Sequence, residues 1–149
     1  MNKTNNCGSC TLCCELLPIK ELKKPASVLC SNCTLGKGCN IYSKRPESCR
    51  NFDCLYIQSD EMDISLRPNE CGVMFEKVTT KIYFGTELPK KVGSWKELKL
   101  FNYIKSLNDK GISIVISSFS NTPNKFFLAE GHKKEIVEKI IIREYEKLN

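Results

Sequence analysis

Nine of the chain's ten cysteines fall between Cys7 and Cys54. They run as Cys7-Gly-Ser-Cys10-Thr-Leu-Cys13-Cys14, then Cys30-Ser-Asn-Cys33, Cys39, Cys49 and Cys54. Thiolates are soft donors, and two C-x-x-C pairs with further cysteines close by match the spacing by which short turns aim sulfur at one metal ion. The chain reverses inside each C-x-x-C turn, so both sulfurs fit one tetrahedron. The turn's backbone N–H groups point at the sulfurs and offset their charge. The chemistry to expect is chelation of a soft metal, with Cys7, Cys10, Cys13, Cys14, Cys30, Cys33, Cys39, Cys49 and Cys54 as ligands. Cys71 stands apart, between Glu70 and Gly72 at the entry to an apolar run. A lone cysteine so placed reads as a small buried hydrophobe and stays outside the ligand set.

Zinc takes four thiolates per ion and needs no redox protection, so eight or nine cysteines serve one or two Zn2+ ions. Cys7-x2-Cys10-x2-Cys13 also matches the first three ligands of a ferredoxin-type cluster whose fourth comes from afar, which makes a [4Fe–4S] cluster the alternative. Both metals accept all-cysteine sites of similar spacing. Structural zinc is the commoner use of short paired turns, and is the first expectation. Disulfides are the competing use of ten cysteines, in a secreted domain. Against them, the polar Met1-Asn-Lys-Thr-Asn-Asn leads straight into cysteine and is no export signal. The expected setting is therefore cytoplasmic, where thiols stay reduced.

The formal net charge of +6 invites a nucleic-acid reading. Metallation changes that sum. Residues 1–54 carry eight Lys/Arg against four Asp/Glu. Four thiolates around a divalent zinc, or around an oxidised four-iron cluster, leave about −2 per site, so two sites bring the whole chain to about +2. In residues 55–149 fifteen Lys/Arg are well mixed with thirteen Asp/Glu. A nucleic-acid footprint is not expected. No run of about 18 apolar residues suggests a membrane span.

The elements that must carry these thiols begin with residues 15–29, where Pro18 and Pro25 limit any long helix. The segment reads as an extended connector packing Leu16, Leu17 and Leu22 on the cysteine module. Gly36 and Gly38 permit the tight path that returns Cys39 toward Cys33. Pro46 suits the first turn of a short helix holding Cys49, with Cys54 at or past its end. A thiolate on such a helix gains from its N–H groups and from Arg45 and Arg50.

The pattern C-x2-C-x2-C-C, followed by C-x2-C-x5-C-x-Ile-Tyr-x2-Arg-Pro-x2-Cys-Arg-x-Phe, resembles the zinc- or iron-chelating domain family (YkgJ-like). Ser65-Leu-Arg-Pro68 and Glu70-Cys-Gly-Val-Met-Phe75 are also similar to its members. The resemblance covers roughly the first half of the chain, and many spacings agree together. It implies metal chelation by Cys7, Cys10, Cys13, Cys14, Cys33, Cys39 and Cys49, with Cys30 and Cys54 matching a subset of the family. It implies no settled activity, although some flagellin lysine methylases carry a similar cysteine-rich segment.

Beyond the cysteines the text turns to regular structure. Residues 73–78 and 81–84 read as a hairpin around Thr79-Thr80, residues 112–119 as a β-branched strand, and residues 125–129 as another. Ser94 with Glu97 reads as a capping box opening a helix through about Asn108 that buries Leu98, Phe101, Ile104 and Leu107, stopped by Gly111. A last amphipathic helix, about 132–148, buries Ile136, Val137, Ile140, Ile141 and Tyr145. The fold class to expect is α+β, a small cysteine-rich module (1–56) followed by a short antiparallel sheet packed with two helices (57–149).

Other chemistry finds little support. His132 reads as an exposed helix-end residue, which leaves no catalytic triad. Asp60, Glu61 and Asp63 read as a solvated loop, and Trp95 with the helix aromatics as core. Three functions follow. One is a metal-binding protein whose zinc shapes residues 7–54 while the α+β half presents a partner surface. A second is an iron–sulfur protein in electron transfer or in a protein-modifying enzyme. The third, a zinc-dependent nucleic-acid binder, is disfavoured by charge.

Overall fold

A computed structural model describes residues 5–118 and 122–147. The chain divides into two compact units, Met1–Glu70 and Cys71–Asn149. The first holds the nine clustered cysteines and the second holds Cys71. The expected module boundary after residue 56 falls inside a short helix of the first unit.

Unit 1 is made of short pieces. Its helices are α1 (Leu12–Leu16), α2 (Glu47–Asn51), α3 (Leu55–Gln58) and α4 (Pro68–Cys71), the last running through the division between units. Its strands β1 (Cys33–Thr34) and β2 (Gly38–Cys39) pair antiparallel, with Cys33 opposite Cys39. Gly36 and Gly38 turn this ribbon with φ of 72° and 109°, as the glycine spacing led us to expect. Residues 15–29 are less extended than anticipated, because α1 and a 3-10 turn at Lys20–Leu22 occupy part of them. Leu16 is buried and Leu17 half-buried, but Leu22 points to solvent.

Unit 2 is a four-stranded sheet in the order β3 (Val73–Lys77), β4 (Ile82–Glu87), β5 (Ser113–Ser117), β6 (Lys125–Phe127). The β3–β4 hairpin turns at Thr79-Thr80 as its sequence indicated. The sheet is mixed, which corrects the antiparallel expectation: β4 and β5 run parallel, with α5 (Leu98–Asp109) in the connection between them. Parallel neighbours need such a crossover, whereas β5 and β6 pair antiparallel.

Register separates the two faces. Glu76, Phe84, Val115 and Phe126 stand in one row across the sheet. On that face Val115 and Ile82 pack with Val137 and Ile141 of α6 (Lys134–Glu146). Tyr145 of α6 sets its ring edge-on to Phe84 and donates its hydroxyl to Glu76. The opposite row, Phe75, Gly85, Ile116 and Lys125, belongs to the other face. There Phe75 meets Tyr103 of α5 edge-on. The bare Gly85 makes room for Phe75, since a Cβ there would lie 2.8 Å from the ring. One helix thus covers each face, and alternating side chains serve both.

Several packing expectations change. The buried stripe of α5 is Leu100, Ile104 and Leu107, while Leu98 and Phe101 are exposed. Both sets recur at helical spacing, so periodicity alone could not choose between them. Ile136 is likewise exposed, whereas Val137 and Ile141 are buried. The expected capping box is not formed. Ser94 begins a 3-10 turn, Glu97 stands at the N-cap of α5, and no side chain caps the helix. Gly111, at φ 77°, follows the helix end as anticipated. Phe119 and Leu148, expected in β5 and α6, lie outside the described residues. No helix among the described residues is long and apolar enough to cross a membrane.

Candidate metal centre

Unit 1 gathers its thiols through backbone links. Cys10 N–H donates to the Cys7 carbonyl at 2.8 Å and Cys33 N–H to the Cys30 carbonyl at 3.0 Å, closing both C-x-x-C turns. Cys30 N–H also donates to the Cys14 carbonyl at 3.0 Å, which docks the second turn on α1. The β1–β2 turn comes down on the first C-x-x-C turn, because a Cβ at Gly38 would lie 3.4 Å from the Gly8 carbonyl oxygen. Cys49 rides on α2. Pro46 is the N-cap of α2 and supplies no side-chain hydrogen bond there. Glu21 substitutes for it, accepting from the Ser48 N–H at 3.0 Å and the Ser48 hydroxyl at 2.5 Å. Those bonds hold the Glu21 carboxyl below the usual carboxylate range. Cys54 lies at the N-cap of α3.

The electrostatics sort the nine thiols. Burial, then Cys10, raises the Cys7 thiol. A hydrogen bond to Cys14, then burial, raises Cys13, with Cys7 and Cys10 adding to it. Burial pushes Cys54 up to about 11, and Cys7 and Cys10 push in the same direction. Cys7 and Cys10 thus act on both Cys13 and Cys54. Burial, then Cys14, pushes Cys33 up to about 12, with Cys30 and Cys39 contributing. Burial, then Cys14, Cys30 and Cys39, raises Cys49. Cys30, Cys33, Cys39 and Cys49 form the second neighbourhood, and Cys30 and Cys33 are buried with Ile19 while Cys14 and Cys49 pack beside them.

Cys14 lies between the two groups. Hydrogen bonding from Cys13 is the largest influence that draws it down to about 6, helped by Cys33, Lys24 and Arg45. Lys24 is a residue that sequence reasoning passed over. It is buried, and its ammonium donates to the carbonyls of Glu15 at 3.2 Å, Leu17 at 2.6 Å and Pro25 at 2.9 Å. A buried ammonium must find such acceptors. Here they also fix the connector and set a positive charge near Cys14. Arg45, hydrogen-bonded to the Tyr42 carbonyl and stacked on the Tyr42 ring, opposes the rise of Cys7 and helps to lower Cys14.

The donors fit a thiophilic cation in kind. Ionising most of these thiols is opposed by burial and by neighbouring sulfurs, and a bound cation reverses both penalties. Among the described residues no three His, Cys, Asp or Glu side chains are already disposed as a ligand cage. No disulfide joins any of the ten cysteines, all of which lie among the described residues.

The remaining candidates are elsewhere. Cys71 is buried, with its thiol on the Val73 carbonyl at 3.3 Å, as expected of a packed thiol. His132 departs from the exposed helix-end expectation. It precedes α6, is half-buried, and its Nδ1 lies 2.6 Å from the hydroxyl of the fully buried Ser113, which also accepts the Ala129 N–H at 2.9 Å. This is a packed polar link that ties β5 to the segment before α6. Asp63 caps a short 3-10 turn through Ser65 N–H, and Asp60 and Glu61 are exposed. Trp95 is half-buried, edge-on to Phe127.

Comparison with known proteins found no matching family model, no matching curated protein and no matching solved structure.

Proposed function

We propose that this is a cytoplasmic metal-binding protein in which cysteine thiolates of residues 7–54 hold zinc, and that the zinc gives unit 1 its shape. One ion is assigned to Cys7, Cys10, Cys13 and Cys54, a second to Cys30, Cys33, Cys39 and Cys49, with Cys14 shared between the neighbourhoods. The single observation that carries this reading is the convergence of thiols in unit 1, where Cys30 and Cys33 pack with Cys14 and Cys49 while Cys39 pairs opposite Cys33. Four thiolates per ion is what zinc takes. The resemblance to the zinc- or iron-chelating domain family supports the same reading. The sheet unit is proposed to present a surface to a protein partner.

One observation favours a second reading. The Cys54 thiol, the distant member, is raised in part by Cys7 and Cys10. Three closely spaced cysteines completed by a remote fourth is the ligand pattern of a [4Fe–4S] cluster. In that case the protein serves electron transfer or forms part of a protein-modifying enzyme.

Anaerobic purification with elemental analysis and an absorption spectrum tests both. The zinc reading expects a colourless protein with two zinc ions per chain, and the cluster reading expects iron with a visible chromophore. Cys10→Ser and Cys49→Ser are each expected to lose metal or solubility, whereas Cys71→Ser keeps both. Equal metal content and solubility in all three variants would contradict the assignment.

A further inference from the structure

The first C-x-x-C turn is held by side chains from far along the chain. Arg67 donates through Nη2 to the Ser9 hydroxyl at 3.3 Å and to Glu70 Oε1 at 3.3 Å. Its Nη1 lies where a Gly8 side chain would be, only 2.8 Å from an ideal Cβ, and Gly8 itself has a φ of 51°. The Arg67 side chain is 15% exposed, and its Nε is buried without a hydrogen-bond partner among the described residues. On the other side of Cys7, the Asn5 amide donates to the carbonyls of Tyr56 at 3.1 Å, Ser59 at 2.6 Å and Met62 at 3.3 Å. Residues 56–67 hold no cysteine, yet they hold the Cys7–Cys10 turn at Gly8 and Ser9 and the segment just before Cys7.

Sinking a guanidinium against a turn is costly unless the turn or what it carries offers compensation. The planar guanidinium of arginine suits this task, since Nη1 packs at Gly8 while Nη2 bonds Ser9 and Glu70. A thiolate-bound divalent ion carries net negative charge, so a fixed cation beside the turn also favours the loaded state.

We propose that Arg67 is a positioning residue for the metal held by the Cys7 group. Its guanidinium fixes the Gly8–Ser9 turn so that Cys7 and Cys10 face the ion, and Asn5 anchors the segment leading in. This inference rests on the metal-binding reading above and adds the residues that make one of the two sites dependent on residues 56–67.

The test follows release of zinc or iron from the full-length protein, loaded as isolated, to a chromophoric chelator. The release step that Cys10→Ser abolishes identifies the Cys7 group, and the step that Cys49→Ser abolishes identifies the other. Arg67→Ala is expected to weaken the first step about 10–100-fold, the range typical of outer partners of metal ligands, and to leave the second unchanged. Arg67→Lys recovers part of the loss. Ser9→Ala, a small change on an exposed residue, weakens the same step less, and remains measurable if Arg67→Ala fails to fold. Arg143→Ala, in the other unit, changes neither step. Unchanged release in both Arg67→Ala and Ser9→Ala, or equal weakening of both steps, overturns the positioning role while leaving metal binding standing. A wild-type chain that carries no metal overturns the metal reading and this inference together.

Discussion

The sheet unit and the cysteine unit reach order by different routes. In the sheet unit Val73, Met74, Phe75, Ile104, Ile114, Val115 and Ile116 are essentially sealed from water, and a helix of 12 or 13 residues covers each face. Side chains of that size supply about 1.5–3 kcal/mol each on burial, so apolar contact suffices. Among the described residues of the cysteine unit no helix exceeds five residues and each strand has two. Helices and ribbons so short are marginal by themselves. The cysteine unit's buried apolar set, Leu12, Leu16, Ile19, Leu55, Tyr56, Met62 and Leu66, is smaller than that of the sheet unit, and Cys30, Cys33 and Lys24 are buried beside it. The contrast teaches that the same chain can fold one part on hydrocarbon and need a different agent, here proposed to be a thiolate-bound ion, for the other.

Substitutions in the sheet unit sharpen this comparison. The largest effect is expected from Phe75→Ala, which removes a ring packed against Tyr103 and over Gly85. It should cost the sheet unit about 3–5 kcal/mol in denaturant unfolding while leaving metal content unchanged. Loss of metal in that variant would mean that the two units do not stand on separate supports.

A smaller effect is expected from Tyr145→Phe, which removes the hydroxyl donated to Glu76. Burial raises the Glu76 carboxyl, and burial together with Glu76 raises the Tyr145 hydroxyl. The cost should be about 1.5–3 kcal/mol near neutral pH, as for a hydrogen bond to a charged group. Because the folded-state value of Tyr145 lies above its unfolded value of about 10, its contribution is complete below that pH and is lost as pH climbs above it. The variant should therefore lack this alkaline loss of stability. Thermal unfolding across alkaline pH checks the point, and identical pH profiles for both proteins would refute it.

The two units also differ in how much of them the sequence disclosed. The β-branched run at 113–117 and the Thr79-Thr80 hairpin were legible because alternation and turn chemistry are local. The strand–helix–strand order of residues 82–117 contained the signal for a parallel pair, since such a connection places β4 and β5 side by side. Which stripe of α5 faces inward was not legible, because Leu98-Phe101-Ile104 and Leu100-Ile104-Leu107 are both spaced for a helix. Ser94 and Glu97 have the letters of a capping box, but a 3-10 turn intervenes and separates them from α5. In the cysteine unit the spacing of the C-x-x-C pairs announced the two closed turns, and Gly36 and Gly38 announced the β1–β2 turn. The grip of Arg67 and Asn5 on the first turn had no local signature, since each acts across more than 50 residues. Lys24 was equally hidden, being one lysine among several in a proline-bearing connector whose carbonyls become acceptors only once the fold forms.

Hydrogen exchange on the metal-loaded protein, before and after a strong chelator, tests the central claim most directly. The account predicts that amides of residues 7–54 lose protection on chelation, including the Cys10, Cys30 and Cys33 N–H groups that close and dock the two turns, while β3–β5 keep theirs. Protection of residues 7–54 that is the same with and without the chelator would contradict it.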